Sequence, residues 1–270
     1  MRGSKVSDKN YRTIAIDRAG AVAAIWLDRP QVKNAFNEEL IAELTEACTH
    51  LSQDKETRVV TLSGKGDVFS AGADLNWMRR VAAYTYEENL CDAKRFAAML
   101  EGLYRLPQAT IAAVNGPCIG GGVGLLSACD VAVASEKAFF VLAEIRLGIA
   151  PAVISPYVIR KIEERKAREY FLSGRRFDAQ TAREIGLVND VVSEELFEES
   201  VEKWVKRFTK AAPGAIKVCK ELIAHVARAP LGEVLDYTAE TIANLRMAPE
   251  GREGFAAFFE KRKPNWDPDS

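Results

Sequence analysis

The feature that most restricts the fold of this chain is an alternation of short apolar runs with amphipathic helical segments over about the first 190 residues. Runs such as "RVVTLSG", "TIAAVNG" and "VAVAS" are short and almost wholly apolar, which is typical of strands buried on both faces. Segments with helical spacing separate them, as in "NEELIAELTEACTHLSQ", for which Asn37 is the predicted N-cap. This order predicts an α/β fold of repeated β-β-α units with a parallel or mixed sheet.

The two ends of the chain depart from this alternation. Near the start, "YRTIAIDRAGAVAAIWLDRP" predicts a hairpin of two strands joined by a turn at "DRAG". From about Glu194 the chain becomes helical and charged, and no low-complexity linker precedes this region. We therefore expect a core over residues 1–195 and a helical C-terminal region over residues 196–270, packed on the core or on a neighbouring subunit.

Composition excludes several functional classes. Lys and Arg number 37 against 38 Asp and Glu, so the net charge of -1 implies no general attraction to nucleic acid or to an anionic membrane. The five cysteines are scattered without a C-x-x-C pair, as expected of reduced thiols in a cytoplasmic protein. Only two histidines are present, far apart in sequence, so we expect no metal site and no histidine-based triad. The first residues, "MRGSKVSDKN", have no apolar segment and do not form a signal peptide, and no apolar run is long enough to span a membrane.

The most informative local pattern is the glycine run in "CIGGGVGLLSACD", which follows a buried strand and opens a predicted helix. Glycine there permits unusual backbone angles and exposes unpaired N–H groups at the positive end of the helix. Three interpretations fit: a tight turn, a dinucleotide site, or an oxyanion hole. The dinucleotide interpretation is the weaker one, because neither G-x-G-x-x-G after the first strand nor G-x-x-x-x-G-K-[ST] occurs. An oxyanion hole needs a second donor, and "FSAGADL" is a candidate for it.

These two stretches resemble the crotonase (enoyl-CoA hydratase/isomerase) family. "FSAGADL" is followed by "AAVNGPCIGGGVGLLSACDVAVAS", and "WLDRPQVKNAFN", "LYRLPQATIAAVNG", "LSGRRFDAQTAREIGLV" and "GFAAFFEKRKPNW" occur in the order of the family. The resemblance implies a ClpP/crotonase-like fold that binds acyl-CoA thioesters. It also implies no metal or redox cofactor, since CoA arrives as part of the substrate, and a homotrimer or homohexamer assembled through the C-terminal helices.

The resemblance also implies the catalytic residues. The backbone N–H groups of Ala73 and Gly121 would hold the enolate oxygen of the thioester, where one such donor contributes about 3 kcal/mol. Glu144, in "VLAEIRLGIAP", would be the acid/base. Hydratases of the family usually carry a second glutamate in the glycine-rich helix, but Gly124 stands there.

The expected activity is that of an enoyl-CoA hydratase, a carbon–oxygen lyase. "GGGVGLLSACD" and "AEIRLGIAPAVISPYVIRKI" most resemble the bacterial methylglutaconyl-CoA hydratases of leucine catabolism, which makes 3-methylglutaconyl-CoA the expected substrate. Two alternatives stay open. A single glutamate also suits an isomerase that converts 3-enoyl-CoA to 2-enoyl-CoA. The second alternative is a homologue without catalytic activity that binds acyl-CoA or associates with RNA.

Substrate-binding positions follow by the same resemblance. Arg29, Lys33 and Lys263 are expected at the CoA phosphates, and Arg146 is a candidate partner for a substrate carboxylate, as are Arg79 and Arg80. The expected residues around the thioester and acyl chain are Ala71, Asp74, Leu75, Trp77, Gly120 and Gly124. A further hypothesis is that the distal carboxylate of a dicarboxylic substrate holds water near Gly124. Two departures from the family pattern are Glu163, where many members have glycine, and the loop "IAPAVISP".

Overall fold

The computed structural model describes residues 11–270, so the signal-peptide prediction for the first ten residues lies outside it. Within this range the chain forms nine strands: β1 Ile14–Ala19, β2 Val22–Leu27, β3 Val59–Gly64, β4 Ala109–Val114, β5 Cys118–Ile119, β6 Val131–Ser135, β7 Phe139–Val141, β8 Phe177–Asp178 and β9 Asp190–Val192. The ten α-helices of the same range are α1 Glu38–Gln53, α2 Leu75–Val81, α3 Tyr86–Tyr104, α4 Gly121–Ala128, α5 Ser155–Ser173, α6 Ala179–Glu184, α7 Glu194–Thr209, α8 Pro213–Val226, α9 Leu231–Met247 and α10 Pro249–Phe259.

Six strands form the main sheet in the order β1-β2-β3-β4-β6-β9. The β1–β2 pair is antiparallel and every other pair is parallel. The predicted hairpin is confirmed, but its turn is shorter than "DRAG" suggested. Asp17, Arg18 and Ala19 pair with β2, and the reversal falls at Gly20, whose φ of 55° suits glycine.

The strands at the centre of the sheet are buried on both faces. Every residue of β4 and of β6 is buried, which agrees with their apolar sequences. Helix α7 packs on β3, β4 and β6, while α1, α3, α4 and α5 contact one another in succession. Because α7 begins at Glu194 and lies on the sheet, the division at residue 195 stays a prediction.

A second, smaller sheet positions the segments that contain the predicted site residues. It has the order β5-β7-β8, in which β5 and β7 are parallel. Parallel strands end at the same edge of a sheet. The residues that follow β5, which are the glycine run, therefore lie next to the residues that follow β7, which lead to Glu144.

The C-terminal helices leave apolar surface uncovered in the single chain. Five side chains of α9 and α10 are more than half exposed: Leu231, Leu235, Met247, Phe258 and Phe259. Among residues 11–270, no helix is both long enough and apolar enough to cross a membrane.

Candidate active site

The two glycine-containing segments singled out in the sequence lie side by side. Ser70 and Cys118 form a parallel bridge. An ideal Cβ on Gly122 would lie only 2.9 Å from the Ser70 Cβ, so the segments are in close contact. Phe36 forms a bridge with Ala73, and its ring lies 3.2 Å from an ideal Cβ on Gly121. Both predicted oxyanion donors therefore lie close to the same residue.

Both predicted donors are unused by the protein itself. Phe36 accepts from the backbone N–H of Asp74 at 2.8 Å, and successive amides of extended backbone point to opposite sides, so the Ala73 N–H points away from Phe36. Gly121 is the first residue of α4, where backbone N–H groups have no intrahelical acceptor. Among residues 11–270, neither amide donates a hydrogen bond to a protein group. The pair can therefore donate to an oxygen that gains negative charge.

Glu144 is held against the start of the glycine-rich helix. The Gly120 N–H donates to the Val141 carbonyl at 2.8 Å, which extends the β5–β7 pairing by one residue. Glu144 then opens a short 3-10 turn, Glu144–Leu147. An ideal Cβ on Gly120 would lie 3.1 Å from Glu144 Oε1, and Gly120 has a φ of 51°. Glycine at 120 is therefore required both by its backbone angle and by the carboxylate beside it.

The environment of Glu144 favours proton transfer. Burial raises the pKa of its carboxyl group, because charge is disfavoured where water is excluded. Its Oε2 atom is buried and has no hydrogen-bond partner among residues 11–270. A carboxyl group with a raised pKa and a free oxygen next to two unused amide donors is suited to general acid–base catalysis.

The position of the missing second glutamate is filled by an apolar side chain. Gly124 follows Gly120 by one helical turn, and an ideal Cβ on it would lie 2.3 Å from Ile154 Cγ2 and 3.7 Å from Leu100 Cδ1. Ile154 is only 2% exposed. The space directly beside Gly124 is therefore taken by Ile154, and the hypothesis that a substrate carboxylate holds water near Gly124 stays a prediction. Sequence reasoning missed Ile154, although it lies in the unusual loop "IAPAVISP".

Two phenyl rings that the sequence did not single out support the start of α4. Phe36 and Phe96 have ring centroids 5.5 Å apart. An ideal Cβ on Gly121 would lie 3.1 Å from the Phe96 ring and 3.2 Å from the Phe36 ring. The rings thus pack directly against the backbone of one donor, and their helical or loop sequence context carries no signal for this role.

Arg29 and Asp74 form a buried ion pair instead of facing a ligand. Arg29 Nη2 lies 2.9 Å from Asp74 Oδ2, with the two side chains 13% and 8% exposed, and Arg29 also donates to the Ala35 carbonyl. Asp74 caps α2 by accepting from the Asn76 N–H at 2.8 Å. The ion pair therefore links the segment Phe69–Leu75 to the residues before α1. Arg29 was expected at a CoA phosphate, and in this structure its guanidinium is engaged with Asp74 and the Ala35 carbonyl instead.

The other predicted substrate-binding residues differ in how exposed their side chains are. Ala71 donates its N–H to the Lys33 carbonyl at 2.9 Å, while the Lys33 side chain is exposed. Leu75, two residues after Ala73, is 70% exposed. Trp77 is buried, and its Nε1 lies 3.3 Å from Asp92 Oδ1. Lys33 and Leu75 are therefore accessible to a ligand, whereas Trp77 is part of the core.

The predicted cations differ in whether they are already paired. Arg80 makes two hydrogen bonds to Glu38, and Arg79 donates to Asn76 Oδ1 at 3.1 Å. Arg146 is exposed and has no ion-pair partner among the described residues. Lys263 donates to the Asp269 carbonyl near the end of the chain at 2.8 Å. Over residues 11–270, no three histidine, cysteine or acidic side chains are grouped closely enough to hold a metal ion.

The fold and this pair of unused amides are suited to a class of protein that holds an oxyanion with backbone N–H groups. Comparison with known sequences makes the class specific: the profile of the enoyl-CoA hydratase/isomerase family matches residues 17–269. The chain belongs to this family, and its fold is the crotonase fold. The predicted fold class is thereby confirmed.

Similar proteins differ in what they are named to do. A Thermus thermophilus protein with enoyl-CoA hydratase as its candidate activity is 34% identical over 247 residues, which covers 92% of this chain and 98% of the relative. A 4-chlorobenzoyl-CoA dehalogenase of an Arthrobacter species is 36% identical over 210 residues, covering 77% and 76%. The crystal structure of an enoyl-CoA hydratase from Shewanella pealeana is 38% identical with a TM-score of 0.92, covering 95% and 96%.

Proposed function

We propose that this protein is an enoyl-CoA hydratase that uses Glu144 as its single acid/base. The observation that carries the proposal is the half-buried Glu144 carboxylate, whose buried Oε2 has no hydrogen-bond partner among residues 11–270, near the unused amides of Ala73 and Gly121. The names of several relatives and of the Shewanella structure support hydration as the reaction. A non-catalytic binding protein would have no need of a buried carboxylate without a partner.

In the proposed reaction, the water oxygen bonds to C3 of the enoyl thioester while one water proton passes to Glu144. The electron pair of the C2–C3 double bond moves toward the thioester oxygen, where the Ala73 and Gly121 amides stabilise the negative charge. The enolate then collapses and takes the proton from Glu144 at C2. One carboxyl group thus accepts and returns one proton, and the site ends in its starting state.

For the substrate, we propose 3-methylglutaconyl-CoA. Support comes from Arg146, which lies two residues after Glu144, is exposed, and has no ion-pair partner among residues 11–270. An arginine without a partner is suited to bind the second carboxylate of a dicarboxylic acyl group. We further propose a homotrimer or homohexamer, supported by the exposed apolar side chains of α9 and α10.

One observation favours a second candidate, the isomerisation of 3-enoyl-CoA to 2-enoyl-CoA. Ile154 fills the space beside Gly124, so this wall of the site has no second polar group. Isomerisation moves one proton between two carbons and needs only one base. It is therefore chemically compatible with the same set of residues.

The test measures loss of conjugated-thioester absorbance with 3-methylglutaconyl-CoA and with crotonyl-CoA, and its gain with a 3-enoyl-CoA. Glu144→Gln keeps the shape but removes the acid/base, and we expect a loss of about 10²–10⁴-fold. Glu136→Gln, at an exposed glutamate outside the site, is the matched control and should retain activity. If only the 3-enoyl-CoA reacts, the protein is an isomerase. If Glu144→Gln retains full activity, the proposed role of Glu144 is wrong.

A further inference from the structure

Gly120 is the residue before α4 and Gly124 lies one turn further on, because the Gly124 N–H donates to the Gly120 carbonyl at 3.3 Å. The first of them faces the Glu144 carboxylate and the second faces the Ile154 side chain. This hydrogen bond closes one helical turn. The Glu144 carboxylate and Ile154 therefore lie about one turn apart against the start of α4, which forms this wall of the site. Ile154 is the group that follows the carboxylate along this helix.

The wall around Ile154 is apolar and closed. Ile154 is 2% exposed. Leu100 of α3 and Val158, which lies one turn further along α5, are both 0% exposed. The three nearest atoms to an ideal Cβ on Gly124 belong to Ile154 and Leu100. An ordered water needs about 2–4 polar partners. A water beside Glu144 therefore finds no second partner on this wall.

We propose that Ile154 determines specificity by setting the balance between water addition and proton transfer at this site. The inference rests on the proposed function, since both reactions use Glu144 and the same amide donors. In isomerisation, Glu144 takes a proton from C2, the double bond moves from C3–C4 to C2–C3, and the same proton returns at C4. Only hydration needs a water to be held while its oxygen bonds to C3. By denying that water a second hydrogen bond, Ile154 disfavours hydration relative to isomerisation.

The test compares two variants of nearly equal shape, Ile154→Thr and Ile154→Val, which differ mainly in one hydroxyl group. For each we measure the rate of crotonyl-CoA hydration, the rate of 3-hexenoyl-CoA isomerisation, and thermal unfolding. The hydroxyl group of threonine can bond a water, so the ratio of hydration to isomerisation should be about tenfold higher in Ile154→Thr than in Ile154→Val. Ile162→Val, at a buried position about two turns further along α5 and outside this wall, is the control and should leave the wild-type ratio unchanged.

The outcomes separate this inference from the proposed function. If wild type hydrates but the ratio is the same in both folded variants, the inference is overturned and the function stands. If wild type catalyses neither reaction, the proposed function fails and the inference falls with it. Should Ile154→Thr not fold, the pair Ile154→Ser and Ile154→Ala replaces the first pair, since it again differs by one hydroxyl group. A ratio that is no higher in Ile154→Ser than in Ile154→Ala overturns the inference.

Discussion

Helix α5 contains one residue whose backbone conformation suits only glycine, and replacing it is expected to stabilise the protein. Glu163 has φ 61° and ψ 164° inside the helix, which kinks there. This region of backbone angles is essentially restricted to glycine and costs other residues about 1–3 kcal/mol. The Glu163 side chain is exposed and makes no hydrogen bond or ion pair among residues 11–270. Replacing this side chain therefore removes no hydrogen bond or ion pair.

The expected gain for Glu163→Gly is smaller than the strain, because glycine also raises the entropy of the unfolded chain at a cost of about 0.5–1 kcal/mol. A net stabilisation of roughly 1 kcal/mol remains, which raises the unfolding temperature by about 2–4 °C for a chain near this size. Thermal or urea unfolding of wild type, Glu163→Gly and Glu163→Ala measures it. Alanine keeps the Cβ and the strain, so Glu163→Ala should stay within about 0.5 kcal/mol of wild type.

Two results would refute this reasoning. A Glu163→Gly variant destabilised by about 1 kcal/mol, as expected for glycine in an ordinary helix, would show that residue 163 is not strained. Equal stabilisation by glycine and alanine would show that the side chain, not the backbone, is the cause.

Three further predictions follow from the site. Because burial raises the pKa of Glu144, kcat/KM should fall on the acid side at a pH above the ordinary glutamate pKa of about 4.3, and a pH profile measures this. Arg29→Ala leaves the buried Asp74 carboxylate unpaired and should lower the free energy of unfolding by about 3 kcal/mol, whereas a phosphate contact would mainly raise KM. Gly124→Ala should destabilise by about 1–3 kcal/mol through overlap with Ile154, and Ile154→Ala should recover part of that loss in the double variant.

Much of the fold could be predicted because its signals are local. Asn37 accepts from the Leu40 N–H at 2.9 Å as a predicted N-cap should, and Asp178 caps α6 in the same way. The short apolar runs became strands because their neighbours in sequence specify burial and extended backbone together. The turn of the first hairpin was misplaced, since Asp17 and Arg18 are compatible with either a strand or a turn and pairing with β2 decides between them.

The parts of the site that could not be predicted depend on contacts between distant segments. The local sequence around Arg29 does not predict that its guanidinium contacts Asp74, which lies 45 residues further on. The same holds for Ile154, which reaches Gly124 only because α5 packs against α4. The sequence identifies which groups are able to do chemistry. Whether such a group faces a ligand or the protein interior is decided by tertiary packing.

The glycine run shows this distinction most clearly. The sequence suggests that its glycines permit unusual backbone angles and expose N–H groups, and the structure adds that a side chain at each would meet the protein's own atoms. An ideal Cβ would meet Glu144 at position 120, two phenyl rings at 121, Ser70 at 122 and Ile154 at 124, at 3.1, 3.1, 2.9 and 2.3 Å respectively. The run therefore lets the Glu144 carboxylate, the segment around Ser70 and the Ile154 side chain all approach one helix. Substituting any of these glycines should displace a protein group of the site before it obstructs a substrate.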